Sequence, residues 1–64
     1  MCEANVYLER DGEEELVLES VYLIRPEGER LFLVNIFGEQ KLLRATLKLL
    51  DFTEDKIILK ERKG

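Results

Sequence analysis

Reversal signals recur along the chain and leave only strand-length segments between them. They are Asp11-Gly12, Pro26-Glu27-Gly28, Phe37-Gly38 and Thr53-Glu54-Asp55. Glycine enters left-handed turn conformations without steric cost, and proline ends a ladder because it has no N–H to give. Signals roughly 8–16 residues apart point to a small antiparallel β-protein.

The intervening residues alternate. Cys2, Ala4, Val6 and Leu8 share one face, and Glu3, Asn5, Tyr7 and Glu9 share the other. That period of two is expected of a strand with one buried face. Leu16 and Leu18 continue the pattern after the Asp11-Gly12 hairpin. Val21, Leu23 and Arg25 alternate with Tyr22 and Ile24, a strand apolar on both faces that is expected to end at Pro26. Leu31 and Leu33 oppose Phe32, Val34 and Ile36 in the same doubly apolar way. Two such strands imply a sheet that curls until both faces are covered. Residues 39–50 fit two periods. Leu42, Leu43, Thr46, Leu47 and Leu50 form a helical stripe. As a strand, Leu43, Ala45, Leu47 and Leu49 face in while Arg44, Thr46 and Lys48 face out. The β-pattern of the flanks favours strand. Ile57, Ile58 and Leu59 close the pattern. The expectation is an all-β, small antiparallel barrel-like domain of six or seven short strands spanning residues 1–64, with 61–64 a frayed tail. A barrel this small leaves an edge strand open, which invites pairing with a second copy as a homodimer.

Composition narrows the chemistry. With no His and one Cys, one chain cannot assemble a Cys/His zinc site, a Ser-His-Asp triad or a Cys-His pair. Nor can it staple itself with a disulfide. No acid/base or nucleophile pair emerges, so no enzymatic role is expected. Ten Lys+Arg against 14 Asp+Glu give a net charge of -4, which argues against general binding to phosphate backbones. No stretch approaches the ~18–20 apolar residues of a membrane span. The Met-Cys-Glu opening carries no basic region followed by an apolar core, and a lone thiol fits a reducing cytoplasm.

Cys2 dominates what remains. As a free Cys it can be a small buried hydrophobe. Beside an α-amine and backbone amides, its thiolate is instead part of a nitrogen/sulfur chelate. Such donors suit soft or borderline ions, and in a plane they suit Ni(II) or Cu(II). Removal of Met1 would leave the amine on Cys2 itself. One thiolate makes a poor site, so a metal would have to lie between two copies, each supplying Cys2. Glu13-Glu14-Glu15 lacks the Asp-x-Asp-x-Asp-Gly pattern of a calcium loop and reads as a solvated charge cluster. Tyr7, Phe32 and Phe37 could stack on bases in a small RNA-binding β-barrel, but core packing is the favoured reading. Arg44, Lys48, Arg62 and Lys63 form only a modest basic group.

Four stretches resemble the CooT family of small nickel-binding proteins, which has also been labelled predicted RNA-binding protein. They are Met1-Cys2-Glu3-Ala4, Pro26-Glu27-Gly28, Val34-Asn35-Ile36-Phe37-Gly38-Glu39-Gln40 and Lys56-Ile57-Ile58-Leu59. The resemblance covers roughly residues 1–60, and the Met-Cys-x-Ala start is its most specific part. It implies a barrel-like homodimer that holds Ni(II) at its interface through Cys2 of each subunit, helped by backbone nitrogens. It also implies nickel delivery to a client enzyme, carbon monoxide dehydrogenase being the best understood. Only Cys2 carries over as a side-chain ligand.

Overall fold

The computed structural model describes residues 3–63, and among them there are six strands and no helix. In chain order they are β1 (Ala4–Arg10), β2 (Glu13–Glu27), β3 (Arg30–Asn35), β4 (Gln40–Leu43), β5 (Ala45–Asp51) and β6 (Lys56–Glu61). They form one sheet in the order β4-β3-β2-β1-β6-β5. The segment 39–50 is extended and not helical, as the flanks suggested, but it breaks at Arg44 into two strands, β4 and β5, where one continuous alternation was expected.

The order contains a constraint. β4 and β5 are the two edges of the sheet, yet only Arg44 separates them in the chain. Six strands laid flat put their edges about 24 Å apart, far beyond the reach of one residue. The sheet must therefore curl until its edges meet at Arg44. The N–H of Arg62, just past β6, donates to the Arg44 carbonyl at 2.9 Å and pins that corner. No ladder joins β4 to β5. The sheet is curled but not closed, which corrects the barrel expectation. A second correction concerns direction. β1 and β6 run parallel, from Asn5↔Lys56 to Glu9↔Lys60, so the sheet is mixed.

β2 spans 15 residues and serves two neighbours. Its first part pairs with β1 and its second with β3, and Val21 is registered with both Ala4 and Asn35. The bend lies at Ser20, whose φ of 54° is left-handed. Two contacts hold it there: the Ser20 N–H donates to Asn5 Oδ1 at 3.0 Å, and its carbonyl accepts from the Ile36 N–H at 3.0 Å. The strand does not stop at Pro26 but runs to Glu27, where the hairpin through Gly28 reverses it. At the other hairpin Asp11 and Gly12 both have positive φ (54° and 81°), as a two-residue loop between twisted strands requires.

The concave face holds the core. Val6, Leu8, Leu18, Leu33 and Leu59 are its buried centre, each stabilising by about 1.5–3 kcal/mol on full burial. Val34 and Ile58 are buried as well but lie outside this cluster. Ile58 is registered with Tyr7, which carries Lys56 Nζ 4.7 Å from its ring centroid. Phe32 likewise sits under the Arg25 guanidinium, 4.9 Å from its centroid. Two aromatic rings expected in the core thus lie half-buried under cations, and Phe37 is exposed. The inward face expected of β5 also fails past Ala45. A register shift between Leu47 and Leu49 inserts Lys48 as an extra residue, and Leu49 pairs with Ile58. Leu47 and Leu49 are exposed.

Candidate functional site

Cys2, the one expected metal ligand, lies outside the described residues. The structure does define the frame it is bonded to. Asn5 anchors the start of β1 on both sides. Its N–H donates to the Asp55 carbonyl at 2.9 Å, and its side-chain oxygen accepts from the Ser20 N–H. Glu3 and Ala4 precede this anchor and line a cavity of about 300 Å³.

The cavity is an apolar cup at the end of the curl opposite the Arg44 corner. Register places Ala4, Val21, Lys56 and Asp51 together at this end. Ala4, Val21 and Ile57 contribute apolar wall, and Tyr22, Leu50 and Phe52 join them. The latter three are exposed, Phe52 to 84%. Glu3, Asp51, Asp55 and Lys56 supply the polar part of the lining.

Two of these charges have assigned work. The Asp51 carboxylate accepts from the Thr53 hydroxyl and from the Thr53 and Glu54 N–H groups, at 2.5, 2.9 and 3.3 Å. These bonds favour the ionised form, the Thr53 hydroxyl most, and hold its pKa below the ordinary aspartate value. Asp51 therefore caps the turn that carries Phe52. Lys56 Nζ lies 3.3 Å from Glu14 Oε1, and that hydrogen bond and charge raise its pKa.

Among the described residues no group of three or more His, Cys, Asp or Glu side chains is arranged to hold a metal ion. Glu14, from the acidic run, faces Lys56. Of the basic group, Lys48 pairs with Glu9, Lys63 lies 3.2 Å from Asp11, and Arg44 lies 4.0 Å from Glu29. Periodicity accounts for Tyr22 and Leu50 as members of apolar patterns and does not mark them, or Phe52, as site residues. The available signal was Phe52 itself, a large apolar residue set directly before the Thr53-Glu54-Asp55 turn, where a strand has no further core to reach.

The sequence model described as "CO dehydrogenase accessory protein CooT" matches residues 1–60. An uncharacterized protein of Methanocaldococcus jannaschii, MJ1551, is 32% identical over 59 residues, covering 92% of this chain and 96% of its own. The crystal structure of a protein ascribed to CooT from Carboxydothermus hydrogenoformans superposes with a TM-score of 0.89 at 37% identity. That match covers 97% of this chain and all of the other.

Proposed function

Because this chain belongs to the CooT family of CO dehydrogenase accessory proteins, we propose that it binds Ni(II) between two copies, each supplying the Cys2 thiolate, and serves the maturation of a nickel enzyme in the cytoplasm. The observation that carries this reading is the anchored start of β1. Asn5 ties that strand to Asp55 and Ser20, so Glu3, bonded to Cys2, departs from a fixed base. A thiolate needs such preorganisation to be a specific ligand and not a loose one.

The donor arithmetic supports two copies. The chain has one Cys and no His, and no carboxylate cluster substitutes for them among the described residues. Two thiolates with backbone nitrogens give a four-donor set suited to Ni(II). The ion is cargo, and the protein's part is to hold it and release it to the client. No side chain is assigned a catalytic role.

The test is a Ni(II) titration followed by thiolate-to-metal charge-transfer absorbance. Wild type gains the band, and Cys2→Ser does not. Equal binding by the two proteins refutes the proposal. The alternative, a small RNA-binding module, finds less support. Three of the four basic residues that would meet phosphates face carboxylates instead, and retention on RNA at low salt would revive it.

A further inference from the structure

The curl leaves two strand edges that no ladder takes up, because β4 and β5 part at the Arg44 corner without pairing. β4 is four residues long and β5 is seven. β5 pairs with β6 along one side only, so its other side presents main-chain N–H and C=O groups at strand spacing. Such an array is matched by the backbone of another extended segment. Ala45 is buried where the corner closes, but Leu47 and Leu49 beyond it are exposed. Leu47 is registered with Leu59 and Leu49 with Ile58, on either side of the register shift. The two leucines therefore lie on opposite faces and can grip both sides of an added strand.

Charge says which segment fits. Residues 40–50 cover β4, the corner and all of β5 but Asp51, and they hold Lys41, Arg44 and Lys48 with no carboxylate, in a chain of net charge -4. Lys48 is paired with Glu9, and Arg44 lies 4.0 Å from Glu29. Lys41 has no carboxylate partner among the described residues. A second copy at this edge would bring the same three cations against their like, which disfavours pairing. A segment carrying carboxylates reverses the sign of that contact. From this we infer that the free edge of β5 takes up an extended segment of a partner protein in which acidic residues alternate with apolar ones. The segment adds a strand beside residues 46–50. Its backbone completes the ladder, its apolar residues cover Leu47 and Leu49, and its carboxylates meet Lys41 and Arg44. The inference stands apart from the nickel reading, since it uses no residue at the start of the chain.

Amide NMR of the full chain tests this. The probe is a seven-residue peptide, one residue for each of β5, in which Glu alternates with Val. It is expected to shift the amides of residues 45–51, to slow their hydrogen exchange by about tenfold, and to bind more weakly as salt rises from about 20 to 200 mM. A peptide with Lys in place of Glu is expected to bind at least about tenfold more weakly. A third, with its central Val replaced by Pro, keeps the charge but breaks the ladder, and is expected to leave exchange unslowed. Leu47→Glu sets a carboxylate at the edge and is expected to lose about tenfold in affinity for the acidic peptide. Leu47 is exposed, so the variant should fold, and an unchanged far-UV spectrum and melting curve establish that it has. Leu16→Glu, at an exposed position on β2, is expected to bind as wild type does. No amide shift at about 1 mM acidic peptide overturns the inference. So does equal binding of the Lys or Pro peptide, or wild-type affinity in Leu47→Glu. Shifts at residues 40–50 that grow with protein concentration alone would put a second copy at the edge, and would overturn it too.

Discussion

Asn35 shows how much one side chain can organise. It is 1% exposed, and among the described residues it is the buried polar group. Its Oδ1 accepts from the N–H groups of Phe37 and Glu39 at 3.1 and 2.8 Å, and its Nδ2 donates to Glu39 Oε1 at 2.7 Å. Every turn of the β3–β4 connection thus leans on it, with Gly38 at φ 83° completing the reversal. Asn35→Ala strips two N–H groups of their acceptor and is expected to cost about 2–3 kcal/mol in urea unfolding. Asp51 offers a second residue-scale check. Its folded pKa is depressed by Thr53. It therefore contributes stability that is present above the unfolded-state pKa and lost as pH falls through the folded one. A carboxyl NMR titration should place the Asp51 midpoint below the ordinary aspartate value in wild type and higher in Thr53→Ala. An unchanged midpoint would remove Thr53 as the cause.

At the scale of elements, the central strands carry the fold. Leu33 and Leu59 are wholly buried, on β3 and on the parallel-paired β6. Leu33→Ala or Leu59→Ala is expected to cost about 2–5 kcal/mol, enough to unfold a domain of this size. Leu42→Ala on the exposed edge should stay within about 1 kcal/mol. Chemical denaturation compares the three directly. The same elements show what periodicity conveys. Alternation located β1 and the extended character of residues 39–50, though not the break at Arg44 that makes two strands of them, and the turn residues located both two-residue hairpins. Pairing partners are another matter. β1 and β6 meet because the sheet curls, and no local residue encodes that they do so in parallel. The bulges at Ser20 and Lys48 were equally hidden, since each is a response to a neighbouring strand. The Lys48 bulge alone turned Leu49 to the face opposite the expected one. Pro26 was read as a terminator because of its missing N–H, but one residue of further strand is tolerated beside a hairpin. Counts alone left Cys2 readable as a small buried hydrophobe. Its place beside the α-amine and the family resemblance pointed to a metal ligand, and it lies outside the described residues. The cup was not legible, because Ala4, Val21, Leu50 and Ile57 come from four strands whose convergence is a property of the curl.

For the whole molecule, one residue between the two edge strands forces the curl, and the curl leaves an apolar cup at its far end. Each chain carries a net charge of -4, so a pair in contact carries twice that and repels itself. Without metal, dimerisation should therefore strengthen as salt rises from about 20 to 200 mM, because screening weakens the repulsion. Sedimentation at both salts would show this, and the opposite trend would contradict a contact governed by the like net charge of the two chains. The central claim is that one ion is shared by two chains through their Cys2 thiolates. Intact mass under native conditions, with and without added Ni(II), tests it most directly. The account predicts one Ni(II) per two chains in wild type and none retained by Cys2→Ser. One ion on each separate chain, or an ion held equally by Cys2→Ser, would contradict it.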